Sequence, residues 1–343
     1  MPDHEFGFEL RVCGWAERAW PPDGDGDPDT AVVVGRQLGT RDRRWDTVVV
    51  EADTDALEQR AVLGDRELDS DLRHVVGNAP PDWAWYRDAL PDPGYPWRYV
   101  RAAVHRAADR ELVETRRRNN RVELRRVAPY PDWVERVVAI ENKPDLTASA
   151  ARDLAPQLER DVARGLADEV WIATSATGER VEPVLLEDVP VEAGVLVFDF
   201  EAADPATVAW HPRSLDAEGL GTRIVDRGDG DDRGTFEYTD PAAKRDRRLG
   251  IAERAYGRGW RTFGDAMRPD CRHFRLRRDE TGRTLVPYCA AKGREPTTRE
   301  CSGDCADFEP EPPRWRQRGW PIEGGPGARL RALLGARTDR ARR

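Results

Sequence analysis

No stretch of the 343-residue chain approaches the roughly 18 uninterrupted apolar residues of a membrane span. The opening residues, MPDHEFGFELRV, also lack the basic and then apolar layout of a signal peptide. A soluble, cytoplasmic protein with no membrane partner is therefore expected. Lysine is nearly missing: of 55 basic residues only Lys143, Lys244 and Lys292 are lysine, leaving 52 arginines. With 64 acidic residues, a net charge of −9 and acidic clusters at 23–27 and 229–232, this preference fits a halophilic protein. In molar salt the Debye length falls to roughly 3 Å, so net negative charge does not exclude nucleic acid as a partner. Cysteine is scarce, five in all with four between 271 and 305; without a secretory signal, that crowding points to a metal site rather than disulfides. Neither a P-loop nor a G-x-G-x-x-G turn opening a helix is present, so no nucleotide cofactor is expected. His4, His74, His105 and His211 are scattered, with no spacing that suggests a ligand set or a Ser/His/Asp arrangement.

What is present supports a folded protein. Apolar residues make up 39% of the chain against 35% charged, which is enough for a core, and 38.8 kDa corresponds to about two domains. Residues 8–20 carry apolar side chains at helical spacing and stop at Pro21 and Pro22. The β-branched runs 31–34 and 47–50 read as neighbouring strands, and 136–140 as a third. A helix over 149–166, with Leu154, Leu158, Val162 and Leu166 four apart, leads to a fourth strand at 170–174. Two further strands, 195–198 and 207–210, extend or cap the sheet. The order predicts an α/β core made of residues 1–54 and 134–212.

Residues 55–133 are too long for a loop and must fold on their own. Short helices at 55–63, 65–77 and 81–90 and a longer one at 96–109 precede two β-branched segments joined by Asn119 and Asn120, which suit a hairpin turn with positive φ. Helices followed by a basic hairpin resemble a winged helix. Six arginines against one glutamate between 116 and 126 make Arg116, Arg117, Arg118 and Arg121 candidate phosphate contacts. An arginine-rich surface hairpin in an arginine-rich protein is the equal alternative. Residues 213–262 read as a linker or surface loop, 263–310 as a cysteine-rich metal-binding segment, and 311–343 as a basic tail with Trp315 and Trp320 interleaved.

The chemistry-bearing residues end strands. Period-2 alternation places Glu141 and Lys143 on one face of the third strand, with Asn142 on the other. Asp46 opens the second strand, so pairing the two strands brings its carboxylate toward Glu141. Two such carboxylates suit a hard divalent cation, Mg²⁺ or Mn²⁺, which polarises a phosphorus centre and supplies hydroxide. A neighbouring ammonium orients the attacking water and offsets transition-state charge. A surface ion pair at a strand end is the plainer alternative.

At these residues the chain resembles the PD-(D/E)xK superfamily of nucleases, with the restriction-endonuclease-like fold. Asp46 corresponds to the family's metal-binding Asp, Glu141 and Lys143 to its E-x-K pair, and the following helix and strand to the rest of its core. The resemblance covers 8–54 and 134–175, and the chain also resembles an uncharacterised haloarchaeal family of this architecture, which implies no activity of its own. It implies a mixed sheet core with an inserted winged-helix-like module, Asp46 and Glu141 as Mg²⁺ ligands, and Lys143 as the water-orienting group. In one branch a Gln with a Tyr four residues later follows the motif; Gln157 is followed instead by Asp161. Glu9 stands where a first-helix acid sometimes joins the metal shell, and Glu51 and Asp53 compete for the role of Asp46 if the register differs.

Cys271, Cys289, Cys301 and Cys305 are separated by 17, 11 and 3 residues and suit a closed tetrahedral Zn²⁺ site, with His273 as a fallback ligand. An iron–sulfur cluster uses the same four thiolates. Some relatives in the superfamily place one cluster cysteine before the core, which draws attention to Cys13, although a small buried side chain is the simpler role. The expected function is a metal-dependent DNA nuclease in repair or defence. The rivals are a catalytically silent DNA-binding or regulatory protein on the same fold, and a protein-interaction scaffold.

Overall fold

Four β-branched runs form the middle and one edge of a six-stranded central sheet. In this computed structural model, which describes residues 5–310 apart from 25, 177–187, 217, 227–234, 279–283 and 303, together with residue 332, α1 (Glu5–Ala19) leads to β1 (Thr30–Gly39) and β2 (Arg44–Asp53). The insertion follows: α2 (Thr54–Val62), α3 (Ser70–Asn78), β3 (Ala84–Trp85), α4 (Tyr86–Ala89), α5 (Trp97–Asp109), β4 (Val113–Arg118) and β5 (Arg121–Arg126). The chain then re-enters the core as β6 (Val134–Asn142), α6 (Ala148–Arg164), β7 (Glu169–Ser175), β8 (Ala193–Phe198) and β9 (Ala206–Trp210). Last come β10 (Gly221–Asp226), β11 (Thr235–Thr239), α7 (Pro241–Arg258), α8 (Phe263–Ala266), β12 (Phe274–Arg278) and β13 (Leu285–Cys289).

The sheet is mixed, with strand order β1-β2-β6-β7-β8-β9. β1, β2 and β6 pair antiparallel, β6 to β7 and β7 to β8 parallel, and β9 closes the edge antiparallel. Strand alternation divides the apolar residues between two faces. Val48, Val50, Val137, Ala139, Val170 and Ile172 pack with Leu154 and Leu158 of α6 and with Ile251, Ala252 and Ala255 of α7. Val49, Val138, Ile140 and Trp171 face Phe8, Leu10, Val12 and Trp15 of α1. Thr147 caps the start of α6 through its hydroxyl, and Gly165, at φ 54°, ends it in the left-handed region that glycine adopts without strain.

The expected linker at 213–262 is largely structured. Residues 241–258 form α7, whose Asp240 cap precedes a helix lying in the core against β1, β2 and β6. Its polarity conceals this role because its buried charges are paired: Arg248 meets Asp168 at 2.7 Å, Lys244 donates to the Asp216 carbonyl, and Glu253 meets Arg60. The cysteine-rich segment is not a separate body either, since Phe274 and Val286 join the α1 side of the core. The basic tail, residues 311–343, lies outside the described residues, apart from residue 332.

The insertion has a core of its own, built from Leu68, Leu72, Val75, Val100, Val104, Leu112 and Leu124. Its three-stranded sheet runs β3-β5-β4, and the β4–β5 turn carries Asn119 and Asn120 at φ 49° and 61°. A fully buried ion pair pins it to α7. Arg60 donates twice to Glu253 at 2.7 Å and lies over the Tyr256 ring. Glu253 also accepts the Leu68 N–H at 2.8 Å and the Tyr130 hydroxyl at 2.6 Å. Among the described residues, no helix is long and apolar enough to cross a membrane.

Removing one partner of such a pair strands a buried charge, so Arg60→Ala is expected to lower stability by about 3–5 kcal/mol in equilibrium denaturation. A loss under about 1 kcal/mol, the scale of a surface pair, would show that the pin carries little.

Candidate active site

The antiparallel register of β2 and β6 sets Thr47 opposite Ile140. One residue back along β2 and one further along β6 stand Asp46 and Glu141. Asp46 Oδ2 accepts the backbone N–H of Asn142 at 3.0 Å, which ties the two strand ends together. The Asn142 amide donates to Thr47 at 3.0 Å, and Cys13 of α1 contacts the same hydroxyl. On β1, Gln37 sits at φ 54° and its amide nitrogen bridges two acids, donating to Glu9 at 2.7 Å and to Asp46 at 2.9 Å.

Glu141 is only 3% exposed. One carboxylate oxygen accepts from Arg43 and the other from Gln157 at 2.9 Å. Through Nε the Arg43 guanidinium also reaches both oxygens of Asp161, at 2.9 and 3.1 Å. Arg36 pairs with Glu9 at 3.1 Å. Four carboxylates, Glu9, Asp46, Glu141 and Asp161, thus meet two guanidiniums. Burial, and then the charge of Asp46, push the Glu141 carboxyl from 4.5 up to about 8, with Arg43 opposing. Burial raises Glu9 to about 7, against Arg36 and with Asp46 adding to the rise. Burial raises Asp161 too.

The structure gathers Asp46, Glu141, Glu9 and Gln157, but not Lys143. β6 ends at Asn142, the Lys143 N–H donates to the Ala173 carbonyl, and Pro144 follows. Strand alternation therefore stops short of Lys143, and its ammonium pairs with Glu5 of α1 at 3.2 Å rather than sharing the Glu141 site. Glu51 and Asp53 lie toward the other end of β2. Glu51 accepts from Trp20 and Arg136, and Asp53 caps α2. Arg43, Gln37 and Asp161 were not foreseen as members. Asp161 carried a signal, since it lies four residues after Gln157 and shares its face of α6. Gln37 and Arg43 carried none, because their positions depend on how the β1–β2 hairpin turns.

Arg116, Arg117, Arg118 and Arg121 are exposed on the β4–β5 hairpin. Arg116 pairs with Glu123 at 2.6 Å and lies 4.4 Å from the Trp83 ring, Arg121 lies 4.5 Å from the Trp85 ring, and Arg117 donates to Asn120. All five cysteines are free thiols, and Cys271, Cys289, Cys301 and Cys305 line one cavity. His273 is turned to Glu309 at 3.4 Å. Among the described residues, no three His, Cys, Asp or Glu side chains stand close enough together to hold a metal ion.

Residues 33–310 match the model of a family of unknown function, DUF5787, and the chain belongs to that family. No curated protein and no solved structure matches it.

Because Glu141 and Glu9 titrate above the ordinary value of 4.5, the folded chain retains protons that the unfolded chain has lost between 4.5 and about 8. Raising pH through that window therefore weakens the metal-free fold. Urea midpoints in metal-free buffer are expected to fall across it, and Glu141→Gln to flatten the upper part of the slope. A midpoint that does not move with pH in the wild type would contradict the burial of these acids.

Proposed function

We propose that the protein is a metal-dependent nuclease that hydrolyses phosphodiester bonds in DNA. The observation that carries this reading is the placement of Asp46 and Glu141 one residue beyond the Thr47–Ile140 pair, at the neighbouring ends of β2 and β6 where the charge of Asp46 acts on Glu141. The order of α1, β1, β2, β6, α6 and β7 supports it, being the core order expected of the PD-(D/E)xK superfamily. The winged-helix-like arrangement of the insertion, with exposed arginines on its hairpin, supports a duplex partner.

The donor set suits a hard divalent ion by charge: once Glu141 and Glu9 give up the protons that burial lets them keep, four carboxylates face two guanidiniums, an excess of two negative charges that a cation would offset. Asp46 and Glu141 would hold Mg²⁺ or Mn²⁺, which when bound supplies Lewis acidity and a more acidic water. Asn142 N–H and Gln37 orient Asp46, and Gln157 orients Glu141. Arg43 occupies one Glu141 oxygen and would swing back onto Asp161 to admit the ion. Lys143 would leave Glu5 to orient the attacking water.

A second reading has its own observation. Arg43 already stands where a cation would sit, and Lys143 faces Glu5, as in a catalytically silent DNA-binding or regulatory protein. Cleavage of supercoiled plasmid and labelled single-stranded DNA in molar KCl, with Mg²⁺ or Mn²⁺, separates the two. Asp46→Ala and Lys143→Ala are each expected to reduce metal-dependent cutting at least about 100-fold while leaving DNA binding in place. DNA bound but uncut by the wild type would establish the silent reading, and absent binding would leave the interaction scaffold.

A further inference from the structure

The four clustered cysteines are separated along the chain, and each opens or closes a tight backbone turn. The β12–β13 hairpin sets Cys289 opposite Phe274, whose N–H donates to the Cys271 carbonyl at 3.0 Å. Cys289 begins a second turn, closed by the Gly293 N–H at 2.9 Å, with Gly293 at φ 67°. Cys301 receives support from Thr297, and Cys305 lies between the Ser302 carbonyl and the Phe308 N–H. Two isolated bridges, Cys271 to Pro310 and Cys289 to Arg294, hold the turns together. The result is four thiols around one cavity of about 20 Å³, walled by Phe274, Pro296 and Phe308.

We propose that this cavity is a structural zinc site with Cys271, Cys289, Cys301 and Cys305 as its four thiolate ligands. Four thiols converging on one small cavity suit a single four-coordinate ion. Thiolates and tetrahedral closure suit zinc. Arg268 and Lys292 line the same cavity, and a backbone hydrogen bond from Arg268 reaches the Cys301 sulfur. Because no three of these groups yet share a ligating centre among the described residues, the ion closes the shell by rotating side chains across the cavity to about 2.3 Å.

Such an ion would hold more than its own turns. The segment grips the back of α1, with Glu295 pairing to Arg11 at 2.9 Å and Thr284 accepting from Arg18 at 3.2 Å. Zinc therefore supports the helix that carries Glu5 and Glu9, independently of whether the Asp46 and Glu141 site is active. The test is elemental analysis of the untagged full-length protein, purified without added metal. One zinc per chain is expected, with no iron and no iron–sulfur absorption. Cys289→Ser and Cys305→Ser are each expected to lower zinc content at least about tenfold, whereas Cys13→Ala leaves it unchanged. Iron with bound sulfide, or a folded wild-type protein free of metal whose clustered thiols react readily with a thiol reagent, would overturn the proposal. The wild-type measurement decides even if the serine variants do not fold.

Discussion

The antiparallel register between β2 and β6 is the constraint on which the candidate site depends. A shift of one residue would turn every side chain of β2 to the other face, burying Thr47 and Glu51 in the α6 and α7 layer and carrying Asp46 away from Glu141. The register is strongly specified because both faces of these strands are covered, by α6 and α7 on one side and α1 on the other. The same apolar residues that hold the sheet together thus force two carboxylates into one place, and the raised pKa of Glu141 reflects first its burial and then the neighbouring Asp46 charge.

Much of this arrangement was legible in the sequence. The β-branched runs gave β1, β2, β6 and β7, because a doubly covered strand reads as a continuous apolar stretch. Asn119 and Asn120 announced their hairpin because few other residues accept two successive positive φ angles. The region of α7 was illegible for a physical reason. Its core face carries Lys244, Arg248 and Glu253, and only their distant partners, Asp216, Asp168 and Arg60, make them buriable. The direction of the Lys143 side chain was missed for a different reason, since period-2 reasoning holds only while the strand lasts, and β6 ends one residue earlier. Arg43 could not be anticipated, because nothing local distinguishes it from 51 other arginines.

Arginine is also what makes the cluster bistable in principle. Its planar fork lets Arg43 hold Asp161 through one nitrogen while another rests on Glu141. A lysine at that position would present a single point charge and could not bridge both acids in the same way. Whichever cation occupies Glu141, Asp161 remains paired.

The pin between Arg60 and Glu253 spans 193 residues of sequence. At synthesis rates of roughly 5–20 residues per second, Arg60 leaves the ribosome roughly 10–40 s before its partner. For that interval the insertion's own core can form, but the guanidinium that ends up buried must stay in water. Closing the pin therefore waits until α7 has emerged, a late event in the life of the chain.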